Sequence, residues 1–308
     1  KSKIRKFLNN KDTNEYVHSL KKLTNNYLNT KLLDKEIDKI KNLKIKQDNI
    51  VSSKRNSIEN IFFLINDCKD YGTLPFSGIA RCAFVGTKIL RTLVTHKILD
   101  DEDYNLFFES INNVQKKINN SLLNPNKKNF FKEFGHLRPM TYSITSKNYK
   151  EGFKNYFNTK NLKLKETKSF KISKKKKDKI NKIFKQTSIK CNADNFFKFA
   201  KNAIFYREYS KLVFSRSIDL VFKELIKLGS KIDIKRNDFE YISIKDILNY
   251  YNNLDVYKLK KIMKQNIEQN KLQYEITKKL EIPDFIRNKN DFYEFEKSTV
   301  KPNYVQSK

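Results

Sequence analysis

Several things are scarce in this chain, and each scarcity closes off a class of protein. There are three cysteines, Cys68, Cys82 and Cys191. They lack metal-ligand spacing and lie in apolar helical contexts, which predicts buried thiols kept reduced in a cytosol rather than a disulfide scaffold or a zinc site. No apolar run approaches the roughly 20 residues of a membrane span. No signal peptide is visible. Nor does any nucleic-acid-binding signature occur, so the formal charge of +31 stands without a motif to use it. The first residue is Lys rather than Met, as in a piece cut from a longer protein.

The charge itself comes from an excess of lysine. Lys and Arg number 65 against 34 acids, and only nine of the 65 are Arg. Lys, Asn, Ile, Phe and Tyr, all encoded by A/T-rich codons, dominate the composition. We read the charge as codon bias on a solvated surface, which argues against nucleic acid as a partner. Arginine then becomes informative. Where only positive charge is needed such a chain drifts to Lys, so a retained Arg points to use of its planar five-donor fork. Arg81, Arg91, Arg138, Arg207 and Arg216 fall in the most patterned segments.

With 24 Phe and 16 Tyr the chain carries the rings that disordered chains lack. Its apolar residues recur mostly at helical spacing. The fold predicted is all-α, a multi-helix bundle with long irregular loops and an extended C-terminal tail (Asp291–Lys308). Three regions are expected: a helical part over 1–157, a Lys-rich linker over 158–190 containing Lys174–Lys177, and a second helical part over 191–308. Within them, Thr13, Ser57, Asp100 and Asp194 are expected as helix caps. Gly72 is expected to stop the helix begun at Ser57, with Pro75 in the first turn of the next. Phe76, Ile79, Ala80, Ala83, Thr87, Leu90 and Val94 then fall in an arc of roughly 100°, with Gly86 at its edge, a seam close enough for another helix. Asp100 should open a helix reaching about Leu123, and Pro125 a short one ending at Phe134. The helix from Asp194 to Leu228, closed by Gly229, is apolar on all sides and therefore internal. A short extended stretch follows it, then a turn and a helix start at Ser243, with further amphipathic helix over 246–280 ended by Pro283. Tyr16, Leu20 and Leu23 should face a core.

Two chemically unusual places stand out. Phe134–Ser146, FGHLRPMTYSITS, contains no Lys and no acid, and Gly135 and Pro139 block a helix on either side of His136-Leu137-Arg138. An imidazole and a guanidinium so close on one loop are candidates for binding phosphate or carboxylate, with Tyr142 beside them. The second place is the internal helix. Arg207, Glu208 and Lys211 project within about 100° of one another, and charges on a buried helix must pair or meet a ligand. We expect the loop to pack near this Arg207–Lys211 face.

Four strings in order, Asn66–Val94 (NDCKDYGTLPFSGIARCAFVGTKILRTLV), Phe134–Tyr149 (FGHLRPMTYSITSKNY), Ala203–Leu225 (AIFYREYSKLVFSRSIDLVFKEL) and Lys301–Val305 (KPNYV), resemble the central helical region of phosphoenolpyruvate-synthase-like proteins. That superfamily includes pyruvate phosphate dikinase and rifampin phosphotransferase. The resemblance implies an ATP-grasp domain before this region and a mobile phosphohistidine domain after it, on the same or a neighbouring chain. It implies no cofactor in this chain, and ATP with Mg2+ for the full-length protein. The role implied for this region is binding of a small-molecule phosphoryl acceptor, without catalysis of its own. His136, Arg138, Tyr142, Arg207, Glu208 and Lys211 are the candidate acceptor-binding residues. Met140 and Ser143 stand where the family carries Gly and Asp, as in a divergent copy or one serving another acceptor. The rival reading is a basic helical protein that binds nucleic acid or another polyanion.

Overall fold

A computed structural model describes residues 7–124, 126–158, 164, 166–251, 256–283 and 286–295. Pro125, Leu254, the Lys301–Val305 string and most of the expected extended tail lie outside the described residues. The fold is all-α. The helices are α1 (Asn10–Leu28), α2 (Thr30–Val51), α3 (Ser57–Cys68), α4 (Leu74–Thr95), α5 (Asp101–Glu109), α6 (Val114–Leu123), α7 (Lys128–Phe134), α8 (Phe153–Tyr156), α9 (Lys174–Gln186), α10 (Ala193–Ile232), α11 (Ile244–Asn249) and α12 (Val256–Thr277). No strand occurs among the described residues. No helix among them is long and apolar enough to cross a membrane.

Asparagine sets five α-helix starts. Asn9, Asn29, Asn56, Asn113 and Asn192 each accept a backbone N–H two or three residues on with the side-chain oxygen. The caps expected at Thr13, Ser57 and Asp194 are therefore displaced to an Asn one to four residues earlier. Thr13 is instead buried within α1. Asn56 and Glu59 form a reciprocal capping box, as do Asp100 and Asp103, the latter at a cap read correctly. The helix opened by Asp100 breaks at Ser110–Asn113, because Asn113 caps α6 afresh.

The stop expected at Gly72 does not occur. Lys69–Thr73 forms a single π-helical turn, and the chain runs on into α4. This turn opens the backbone just before Pro75, whose missing N–H and ring would disrupt an uninterrupted α-helix. Gly72 serves close approach instead: a Cβ there would lie 2.9 Å from the Phe214 Cβ and 3.0 Å from Leu43. Gly86 behaves as its place beside the seam predicts, since a Cβ would stand 3.1 Å from the Ala200 Cβ. The seam of α4 thus meets α10.

Helix α10 is the axis of the fold. Its 40 residues span about 60 Å at 1.5 Å per residue. It does not close at Gly229. It continues to Ile232, where Asp233 takes the left-handed conformation at φ 56°. Gly229 instead makes room for the Ile234 carbonyl and the Phe239 ring. After Asp233 the chain is extended at Lys235, turns through the 3-10 helix Arg236–Tyr241, and enters α11 capped by Ser243, in the order expected. Helix α12 ends at Thr277, before Pro283.

Three apolar clusters line this axis. The first joins α2, α4, α5, α9 and the first half of α10 around Leu43, Leu90, Phe107, Phe184, Phe196 and Phe199. The second joins α3, the second half of α10, the 3-10 turn, α11 and α12 around Ile61, Leu64, Val221, Leu225, Phe239 and Met263. The third sets Phe130 and Phe134 of α7 against Leu212 and the rings of Tyr149, Phe153 and Phe157. Each fully buried Phe contributes about 1.5–3 kcal/mol. All three clusters draw on residues from both 1–157 and 191–308. The Lys174–Lys177 run is the first turn of α9, whose Ile180 and Phe184 are buried, and Lys177 reaches Asp194 at 2.6 Å. Tyr16, Leu20 and Leu23 of α1 face outward, each more than 40% exposed, because α1 joins the first cluster at its C-terminal end, through Tyr27 and Leu28.

Gly72→Val tests the close approach. Overpacking against Phe214 should lower stability by about 1–3 kcal/mol in urea titration, whereas an open position would show no loss.

Candidate functional site

The lysine-free loop is closed at its base by main chain. Tyr149 N–H donates to the Leu137 carbonyl at 2.7 Å, and Lys150 N–H to the Gly135 carbonyl at 3.1 Å. The segment between is a compact loop with its ends together. Two arginines grip its Ser143–Ser146 stretch, both donating to the Ser146 carbonyl. Arg138 donates from one nitrogen to the Ser143 and Ser146 carbonyls at 3.3 and 3.2 Å, and from the other to Asp219 of α10, with its plane over the Phe222 ring. Arg236, on the 3-10 turn, donates to the Ile144 carbonyl at 2.6 Å and to Ser146 at 3.3 Å, and pairs with Glu151. Both use the guanidinium as a multi-pronged donor, the property for which Lys is no substitute.

Asp219 is the centre of this arrangement. It is 1% exposed, on a helix face packed into the protein. Its Oδ1 accepts from Arg138 and from the Asn148 amide at 3.0 Å. Lys223 Nζ stands 2.7 Å from Oδ2 in an ion pair too bent for a hydrogen bond. A buried carboxylate needs partners, and here two hydrogen-bond donors and one ammonium group surround it. Asn148 in turn accepts from Glu151 N–H at 2.8 Å.

His136 is also turned inward. Its Nε2 lies 2.9 Å from the Leu212 carbonyl, and because a carbonyl only accepts, Nε2 carries the proton. Burial, partly offset by that bond, pushes its pKa down to about 4. A neutral imidazole bonded to main chain holds the loop onto α10.

The six candidate residues do not form one cluster. His136 and Arg138 meet α10 at Leu212 and Asp219. Arg207, Glu208 and Lys211 lie on the same helix but earlier, Arg207 about 18 Å along the axis from Asp219 at 1.5 Å per residue. Arg207 sits over the Phe84 ring at 5.8 Å, and Lys211 is exposed. Tyr142 is 73% exposed at the loop tip. The loop thus packs on the internal helix, beginning one residue past Lys211 and running toward its C-terminus. Among the other arginines singled out, Arg216 forks to Gln47 at 3.3 Å and Asp48 at 2.6 Å, and Arg91 donates to the Tyr104 hydroxyl at 3.3 Å.

Beneath the loop lies an apolar groove of about 980 Å³. Met140–Ile144 form one wall, Ile218, Val221, Phe222 and Leu225 of α10 the floor, Leu64, Ile65 and Cys68 of α3 a second wall, and Phe239–Ile242 with Ile247 the far side. Lys69 and Glu240 are its two charged lining residues. The Glu240 carboxylate accepts from the Ser143 and Thr145 hydroxyls at 3.0 and 2.7 Å, so one end of the groove is polar. Such a cavity suits a mainly apolar molecule oriented by one polar group. Burial raises the Cys68 thiol to about 11, so it lines the groove as an apolar group rather than a nucleophile. Among the described residues no group of three or more His, Cys, Asp or Glu is placed to hold a metal ion.

Asp219, Asn148, Arg236 and Glu240 escaped the sequence reading. Asp219 had left a sign: it is the single acid in the apolar run Leu212–Phe222. No family model matches the chain, and neither a curated protein nor a solved structure matches it.

Two outcomes follow from this geometry. Asp219→Ala strands Arg138 and should cost about 3–5 kcal/mol, while Asp219→Leu combined with Arg138→Met should recover most of that loss in urea titration. His136 should make stability fall on acidification. The unfolded state takes up a proton near pH 6.5 and the folded state only near 4, so this contribution is complete above 6.5 and is lost as pH drops toward 4. His136→Gln should flatten that part of the urea-midpoint profile.

Proposed function

We propose that this chain is the acceptor-binding or scaffolding region of an ATP-dependent phosphotransferase resembling phosphoenolpyruvate synthase, and is not catalytic by itself. The observation that carries the reading is the apolar groove walled by the very loop, Gly135-His136-Leu137-Arg138 onward, on which the resemblance mainly rests. In this reading the groove takes the body of a small-molecule phosphoryl acceptor, and Glu240 with Ser143 and Thr145 receives its hydroxyl. His136 and Arg138 support the loop rather than touch the acceptor. ATP and Mg2+ belong to an ATP-grasp domain, and phosphoryl carriage to a mobile phosphohistidine domain, on the same or a neighbouring chain. The compartment is the cytoplasm, in keeping with three free cysteines.

The rival, a helical protein that binds nucleic acid or another polyanion, draws support from the charge of +31. It predicts tight duplex binding that weakens steeply with salt, where the groove reading predicts only weak, unspecific attraction. Titration with the neutral dye Nile red tests the groove directly. Binding should be saturable and at least tenfold weaker in Thr73→Trp, a rim substitution, and in Val221→Trp. Dye binding that ignores both variants removes the groove. Sequencing the gene to either side tests the class: an ATP-grasp domain upstream supports it, and a complete reading frame bounded near Lys1 and Lys308 overturns it.

A further inference from the structure

A second groove, of about 1050 Å³, shares no lining residue with the first. It lies where α1, the α1–α2 corner, the α9–α10 connection and the first turns of α10 converge. Its chemistry is opposite in kind. Lys21, Lys22, Lys190 and Lys198 face it, against one carboxylate, Asp34. Among the described residues none of these four ammonium groups has an acidic partner, although many lysines elsewhere in this chain do. Side-chain amides of Asn26, Asn195 and Asn202 supply further donors and acceptors, and the deepest lining is apolar, Leu28, Leu33 and Phe199.

The walls are fixed to each other. The Asn25 side chain donates to the Ser188 carbonyl at 2.9 Å and accepts from Lys190 N–H at 2.8 Å, bridging α1 to the α9–α10 connection. Ser188 itself is held at φ 60°, in the left-handed region that a serine rarely occupies. A concavity lined by four ammonium groups and one carboxylate, with its walls tied together, focuses positive potential on an anion seated in it.

We propose that this groove binds an organic phosphate of nucleotide size. The ammonium groups take the phosphate as point charges, the asparagine amides meet hydroxyl and ring heteroatoms, and the apolar floor takes the carbon face of the ligand. The volume, about 1050 Å³, lies at the upper end of small-molecule sites of about 300–1,000 Å³. An extended nucleic acid fits less well, since the only rings in the lining are the exposed His18 and the buried Phe199, too few to stack a run of bases. This site is independent of the apolar groove, and its test does not depend on the function proposed for that groove.

Calorimetric titration of the whole chain with ADP at near-physiological salt provides the test, with inorganic pyrophosphate and a single-stranded RNA oligonucleotide as comparison probes. ADP should bind saturably at one site. Lys21→Gln with Lys198→Gln should weaken it at least tenfold, and Lys174→Gln with Lys175→Gln, an exposed pair on α9 outside the groove, by less than twofold. All four positions are exposed, so circular dichroism should show unchanged melting. Absence of ADP binding overturns the proposal, as does equal weakening by both pairs, which would mean attraction to overall charge. Pyrophosphate binding as tightly as ADP removes the organic part of the ligand. RNA binding lost in the groove variant without any ADP binding replaces the proposal with a nucleic-acid surface.

Discussion

A carboxylate enclosed by protein must be compensated, and Asp219 imposes that demand at the middle of the helix on which every apolar cluster is built. Leaving it unpaired would cost more than most single contacts in a domain supply. The compensation comes from Arg138 and Asn148, some seventy to eighty residues earlier in the chain, and from Lys223 one turn later. The loop is therefore not an ornament on a finished bundle. Its conformation is what lets α10 be internal and charged at once. Once Arg138 is committed to Asp219, its remaining donors fall on the Ser143 and Ser146 carbonyls, and the loop's path over α10 is set.

That path creates the apolar groove. The loop is anchored on the helix by the bond between His136 and Leu212 and by the pair of Arg138 with Asp219. Beyond them Met140–Ile144 bridge toward the 3-10 turn, where Arg236 and Glu240 complete the attachment. Polar groups at the loop's anchors are spent on the protein itself, which leaves the space beneath mainly to carbon. The lysine-rich groove near α1 has the reverse economy: its amides fix the walls, and its ammonium groups are left without acids.

Much of this was legible in the sequence. The helical class followed from periodicity, the internal character of α10 from apolar residues on all its sides, and a close helix approach on α4, though not its partner, from the Ala80–Ala83–Gly86 seam. The reasons for what was missed are local. In an Asn-rich chain several polar residues stand near each helix start, and the one whose oxygen reaches the third amide is chosen by backbone path; hence Asn9 over Thr13 and Asn192 over Asp194. Glycine has two uses that look alike in one dimension. Gly72 and Gly229 read as helix stops, yet both are places where another element comes too near for a Cβ. The partner of Arg138 was the hardest to see. A pairing over 81 residues carries no periodicity, and only the isolation of Asp219 in an apolar run hints at it.

The grip of Arg138 and Arg236 falls on carbonyl oxygens of the loop, not on its side chains. Main-chain atoms are the same whatever residue bears them. Substitution at positions such as Met140 and Tyr142, which point outward, therefore leaves the grip intact. The loop works as a frame whose inserts are exchangeable: descendants of this chain can rewrite the lip of the groove residue by residue, and so change what it admits, while the helix bundle beneath stays as it is.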